Sequence, residues 1–281
     1  MDTSKILLNQ IYDDLGYDNI EIQNIFNNDF NISSNINLLI EFIIYLNNGK
    51  YIKPECITNS SGFVVVIIFK HFVIKIFRNS ITLNKILDII QYNTSCHIVK
   101  LNSYLSKTIY TDANISEKSF YAISTNKIFP IIKYSQVKGE LLINLNDDLI
   151  IIKLISQIID ALYMLHINGY CHNDCTLDNI GILDDKFILF DFNLSNKSTN
   201  IKIDICSLIN SIKFNIEYNI DKELLNVNTK RLLNYLDDIN YLVVNTFDLM
   251  FYIRKYYNEY YSNNILSDSE FNNIITEIPI K

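Results

Sequence analysis

Leu149–Asn168 is apolar almost all the way round a helix, with Ile151, Ile152, Leu154, Ile155, Ile158, Ile159, Leu162 and Leu165 falling on most of its faces. Such a helix has to be buried on most of its faces, so the remaining chain must wrap it. The spacing predicts a buried central helix ended by Gly169. Lys153 interrupts the run, and nowhere does the sequence reach the roughly 18 consecutive apolar residues of a membrane helix. A chain of 281 residues is long enough to supply the wrapping, as one large domain or two small lobes.

The other segments divide by periodicity. Ile6, Leu7, Ile11 and Leu15 recur near helical spacing, and so do Leu38, Leu39, Phe42, Ile43 and Leu46, with Gly49 placed to stop the second helix. Phe63–Phe69 and Phe72–Phe77 are β-branched runs on either side of Lys70-His71, which predicts a hairpin. Ile81–Tyr92 returns to helical spacing. Tyr121–Ser124 and Ile128–Ile132 read as extended, and Pro130 puts the second at an edge. Ile180–Leu183 and Phe187–Phe190 form a second hairpin across Asp184-Asp185-Lys186, and from 201 onward the pattern is helical. The order of helices, small sheet and mostly helical half predicts an α+β chain.

Composition narrows the partners. The formal charge is −7, with 24 Lys and Arg against 31 Asp and Glu. Only three of the cations are arginines (Arg78, Arg231 and Arg254). Nucleic acid is therefore not expected as a partner, since phosphate backbones are met by concentrated positive charge. Nor is a membrane expected. The five cysteines (Cys56, Cys96, Cys171, Cys175 and Cys206) are odd in number and have no framework spacing, which fits reduced thiols and a cytoplasmic location.

Chemistry concentrates in Tyr170–Asn193. His172-x-Asp174 is followed five residues later by Asn179, and Asp191-Phe192-Asn193 comes after the second hairpin. Taken singly, each residue has an ordinary structural reading. An Asp in a loop is usually a turn or cap residue, a His among apolar neighbours is usually packed, and Asp184 and Asp185 read as turn residues. Cys171, His172 and Cys175 crowd three ligands into five residues with no second cluster, which does not make a zinc site.

Together, the spacing resembles the protein-kinase superfamily, whose catalytic loop is H-R-D-x-x-x-x-N and whose metal motif is D-F-G. The resemblance implies a bilobal kinase-like fold using ATP and Mg²⁺. Asp174 would orient the substrate hydroxyl and accept its proton. Asn179 and Asp191 would supply hard oxygens to Mg²⁺, and His172 would support the loop. Lys75 in Val73-Ile74-Lys75 resembles the lysine of V-A-I-K and precedes Asp174 by 99 residues. The phosphate-covering loop falls on Ile57, Asn59, Gly62 and Val64, and only its third glycine, Gly62, is kept. Cys96–Leu101 is similar to the H-x-N-I-V-x-L that follows the kinase C-helix. Counting back from His97 gives Asp88 where the family has the glutamate that pairs with the lysine; aligning Ile98-Val99 instead gives Ile86, and Asp88 is favoured as the only carboxylate in Ile81–Tyr92. Asp204 in Ile203–Leu208 is similar to the F-helix aspartate that anchors the catalytic loop.

The departures are Asn173 for the Arg of H-R-D, Asn193 for the Gly of D-F-G, and a spacing of only 13 residues from Asp191 to Asp204. A full activation segment does not fit that spacing. Haspin-like kinases and small-molecule kinases are similarly compact, and composition and brevity are also similar to kinases of large DNA viruses, which would place the chain in a host cytoplasm. The expected organisation is a helical extension over 1–50, a β-rich N-lobe over 51–135 and a mostly helical C-lobe over 136–281. The expected activity is transfer of phosphate to serine or threonine hydroxyls of a protein substrate. Three alternatives stay open: a small-molecule kinase of the same superfamily, a pseudokinase acting as a binding module, and, more distantly, a hydrolase using two carboxylates. Sequence does not fix the oligomeric state.

Overall fold

The computed structural model describes residues 32–60, 64–77, 79–111, 116–135, 138–141, 143–221, 223–262 and 265–280. It is a mixed α+β structure with antiparallel sheets and seven helices among the described residues. Two compact units divide the chain: Met1–Asp88 with Lys100–Lys127, and Ile89–Val99 with Ile128–Lys281. The helix expected near Ile6–Leu15 and the loop residue Gly62 lie outside the described residues.

The first unit begins with α1 (Ile32–Leu46) and continues through β1 (Cys56–Ser60), β2 (Val64–Ile68) and β3 (Phe72–Phe77). Helix α2 (Ser80–Tyr92) follows, with the division between units falling inside it, and then β4 (Leu101–Thr111) and β5 (Ser116–Asn126). The five strands pair antiparallel in the order β1-β2-β3-β5-β4. The expected hairpin is the β2–β3 pair, and the β4–β5 hairpin is longer than the sequence pattern suggests. Leu38, Leu39, Phe42 and Ile43 form one apolar stripe on α1. They bury against Val65 and Ile67 of β2, Ile74 and Ile76 of β3, and Ala122 of β5. So α1, within the expected N-terminal helical extension, packs into the core of the first unit. Asn48 (φ 51°) and Gly49 (φ 84°) end it, and the Gly49 amide donates to the Ile44 carbonyl.

The second unit carries β6 (Phe129–Pro130), β7 (Ile132–Ser135), β8 (Lys138–Leu141), α3 (Asp148–Ile167) and β9 (Tyr170–Cys171). Then come β10 (Ile180–Leu183), β11 (Lys186–Leu189), β12 (Asn196–Lys197), α4 (Lys202–Asn219), α5 (Val227–Asn240), α6 (Thr246–Tyr261) and α7 (Asp268–Glu277). Helix α3 is the expected central helix, with 14 of its 20 residues buried. It is long and apolar enough to cross a bilayer, but three of its buried polar side chains are met from inside the unit. Gln157 accepts from the Phe187 amide at 2.9 Å, Asp148 accepts from the Tyr261 hydroxyl, and Lys153 is held by Asp185 and two carbonyls. That pattern belongs to the core helix of a folded unit. Asp147 caps its start through the Leu149 amide, and Gly169 (φ 76°) follows its end.

Strands β6, β10 and β11 form a small sheet with β10 in the middle, so Pro130 sits on an edge strand, as its missing amide requires. Asp184 (φ 51°) and Asp185 (φ 58°) form the two-residue turn between β10 and β11, the positive-φ geometry of a tight hairpin. The segment around His97 docks on β11: the Leu189 amide donates to the His97 carbonyl and the Val99 amide to the Leu189 carbonyl.

Candidate functional site

The motif segment is suspended from Asp204. This residue is fully buried in the first turn of α4. Its Oδ2 accepts from the His172 amide at 2.8 Å and from His166 Nε2 at 3.0 Å, while its Oδ1 accepts from the Asn173 amide at 2.7 Å. A buried carboxylate persists only when its lone pairs are met, and here three donors converge on it. His166, at the last turn of α3, thereby joins α3, α4 and the loop. It is not among the residues that the motif spacing singles out; its one signal in the sequence is a lone imidazole closing an otherwise apolar helix.

His172 is enclosed and donates from Nε2 to the Phe190 carbonyl at 3.0 Å. Its ring meets Phe192 edge-on, with centroids 5.1 Å apart. Burial depresses its pKa against the opposing pull of Asp204, Asp174 and Asp191, so the ring is neutral. His172 ties the loop to the segment that precedes Asp191. Asn173 has φ 62° and donates from Nδ2 to the Leu194 carbonyl at 3.1 Å. Leu194 lies just past Asp191, so Asn173 makes a neutral cross-strap between the two motif segments.

Asp174 is half-buried and Asn179 is buried. Asn179 Nδ2 donates to Asp174 Oδ2 at 2.8 Å and to the Asp174 carbonyl at 2.9 Å. The 3₁₀ turn Leu177–Asn179 makes the reach possible, and the Leu177 amide is fixed by Ser211 Oγ on α4 at 2.9 Å. With its amide nitrogen committed to Asp174, Asn179 has its side-chain oxygen left as an acceptor. The Phe190 amide donates to the Asn179 carbonyl at 2.9 Å, which binds the segment before Asp191 to the end of the His172–Asn179 loop. Asp191 is half-buried with φ 65° and ψ 66°. A non-glycine residue held left-handed is uncommon, and such residues concentrate at functional sites. The second unit thus gathers His172, Asp174, Asn179 and Asp191 onto one loop and its hairpin, anchored by Asp204 of α4.

No known family model matches this chain, and comparison with curated proteins gives no match.

The remaining expected residues lie in the first unit. Lys75 is central in β3, directly opposite Val66 on β2 and Ile123 on β5. It therefore faces away from the α1-packed side of the sheet, which takes Ile74 and Ile76. Asp88 is exposed on α2 and makes no hydrogen bond or ion pair among the described residues. The expected Lys75–Asp88 pair is therefore not made. The physical reason is the direction of Asp88: α2 buries Leu83, Ile86, Leu87 and Ile90 and turns position 88 to solvent. Asn59 pairs in β1 and Val64 in β2 through their backbones, while Gly62 lies outside the described residues.

His166, Cys171 and Asp204 place one ligand atom each within 4.8 Å of one another. These atoms are already engaged, since Asp204 accepts three donors and Cys171 Sγ donates to the Ser198 carbonyl at 3.7 Å. Burial, with Asp204 nearby, raises the Cys171 thiol, and the same two causes raise Cys175 further. Both thiols stay protonated, which suits packing and not metal ligation or nucleophilic attack.

Proposed function

We propose that this chain is a compact, kinase-like phosphotransferase that uses ATP and Mg²⁺ to phosphorylate serine or threonine hydroxyls of a protein substrate. The observation that carries the reading is the Asn179–Asp174 hydrogen bond, made in a loop whose backbone amides hang from Asp204. Phosphoryl transfer asks a protein mainly for positioning and charge neutralisation. A carboxylate held by an amide five residues away serves the first need. Asp174 orients the attacking hydroxyl and accepts its proton as the hydroxyl oxygen bonds to the γ-phosphorus and the bond from that phosphorus to the β,γ-bridging oxygen breaks, releasing ADP. Asn179 and Asp191 would hold Mg²⁺, which when bound neutralises charge on the phosphates. Their donors suit it, because an amide oxygen and a carboxylate are both hard ligands. Lys75 as a phosphate ligand, and the bilobal kinase-like fold itself, rest on the sequence resemblance.

Two observations favour variants of this reading. Asn196 and Lys197 pair back onto Cys171 and Tyr170, so the chain between Asp191 and Asp204 is occupied by local pairing. That favours a small-molecule acceptor, because a long activation segment normally cradles a peptide. The exposed Asp88 favours a nucleotide-binding module without turnover. Radiolabelled ATP offered with the purified chain to mixed acidic and basic proteins and to small alcohols separates the three readings. Label in protein supports the proposal, label in an alcohol alone supports the first variant, and a Mg²⁺-dependent thermal shift with ATP but no transfer supports the second.

A further inference from the structure

Lys153 breaks the apolar run of α3, and its side chain is only 1% exposed. An ammonium so enclosed persists only where oxygens surround it. Its Nζ donates to Asp185 Oδ2 at 3.1 Å, to the Ile278 carbonyl at 2.5 Å and to the Thr276 carbonyl at 3.3 Å. Asp185 Oδ1 in turn accepts from the Ile280 amide at 2.9 Å. One Lys–Asp pair therefore grips the segment that leaves α7 at both of its ends. Burial alone would raise the Asp185 carboxyl, but the Ile280 amide and the Lys153 ammonium outweigh it and hold it below the usual range.

Asp185 is also the second residue of the β10–β11 turn, and that hairpin separates Asn179 from Asp191. Neither turn residue is a glycine, although both have positive φ. The turn thus carries local strain, and Lys153 and the Ile280 amide pull on its tip from outside the hairpin. We infer that Lys153 and Asp185 are positioning residues that latch the segment after α7 to the β10–β11 turn and so set the placement of Asn179 and Asp191. The metal-site consequence rests on the proposed phosphotransferase reading, whereas the latch stands on the hydrogen bonds alone.

The test compares the full chain with a chain ending at Glu277, with Asp185→Asn, and with Lys153→Met in both lengths. Amide hydrogen exchange is read by mass spectrometry over 180–190, with α5 as the internal reference. Loss of the latch should speed hairpin exchange about tenfold or more while α5 is unchanged. Lys153→Met should add little in the shortened chain, because both changes release the same latch. The Mg²⁺ concentration giving half of the ATP-dependent thermal shift should rise several-fold at unchanged circular dichroism. An unchanged hairpin, or equal speeding of α5, overturns the latch, and faster exchange with unaltered Mg²⁺ dependence overturns its positioning role. If the shortened chain does not fold, Asp185→Asn decides, since this side chain is 52% exposed and Lys153 keeps the Thr276 and Ile278 carbonyls. If the unaltered chain shows no Mg²⁺-dependent shift with ATP, the proposed function fails and the exchange pattern alone decides the latch.

Discussion

Asn179 fixes Asp174 twice, at its carboxylate (2.8 Å) and at its carbonyl (2.9 Å), through a single side-chain nitrogen. Asn179→Ala removes both bonds and also removes the amide oxygen assigned to Mg²⁺. Turnover should fall by about 100-fold or more, and the Mg²⁺ concentration for half-maximal rate should rise. Steady-state rates across a Mg²⁺ titration check this. A variant whose rate and Mg²⁺ dependence match the wild type would remove Asn179 from the machinery.

Asp204 is the acceptor for three buried or part-buried donors, and Asp204→Ala strands all of them. Buried unsatisfied donors cost about 1–3 kcal/mol each, so the loss should reach several kcal/mol, a large part of the stability of an ordinary domain. Asp204→Asn retains one carbonyl oxygen and should cost clearly less. Urea midpoints of the two variants measure the difference, and equal midpoints would argue that the loop is held elsewhere.

Gly181 lies where β10 passes β6. A Cβ at this position would stand 2.3 Å from Ile128 Cγ2 and 2.6 Å from the Phe129 carbonyl oxygen. The Ile128 methyl belongs to a side chain, whereas the Phe129 oxygen belongs to the backbone and is fixed by the strand. Gly181→Ala should destabilise by about 1–3 kcal/mol, as overpacking does, and Ile128→Ala, which removes the facing methyl, should not rescue it. Full rescue would show that only the side chain is in the way.

Stability should fall as pH drops below the ordinary histidine value of 6.5. His97 and His172 both have folded-state pKa values depressed by burial. Below the unfolded pKa the unfolded chain binds protons that the native chain refuses, so acid favours unfolding. At His97 the Phe187 carbonyl and Asp160 oppose the shift, while Lys186 and Lys153 add to it. His97→Gln should flatten the slope of stability between about pH 7 and pH 5, measured by urea unfolding. A slope unchanged by this substitution would assign the acid sensitivity to other groups.

Much of the fold is legible in the amino-acid sequence because backbone physics leaves periodic marks. The all-round apolar helix at 149–168, the runs 63–69 and 72–77, and Pro130 at an edge each follow from burial or from a missing amide. The His172–Asp174–Asn179–Asp191 spacing reads as one loop and hairpin because nothing intervenes but a two-residue turn. Side-chain direction is the part that periodicity does not carry. Asp88 has the right distance along the sequence from His97, yet helix phase turns it outward. Lys153 reads as an interruption of an apolar run, and its partners, Asp185 and the carbonyls near 278, lie far along the sequence. His166 is silent for the same reason, since its meaning depends on Asp204, 38 residues later. Helix α1 is evident from its spacing, but its partner surface is made of alternate residues on three strands, which no local pattern discloses.

Transfer of labelled phosphate from ATP by the wild-type chain, set against Asp174→Asn and Asp191→Asn, tests the central claim most directly. The account predicts Mg²⁺-dependent transfer by the wild type and a loss of about 10²- to 10⁴-fold in Asp174→Asn, the range for removing a general base. Affinity for Mg²⁺-ATP should be nearly unchanged in Asp174→Asn and clearly weakened in Asp191→Asn. No transfer to any protein or alcohol, or an Asp174→Asn chain as fast as the wild type, would contradict it.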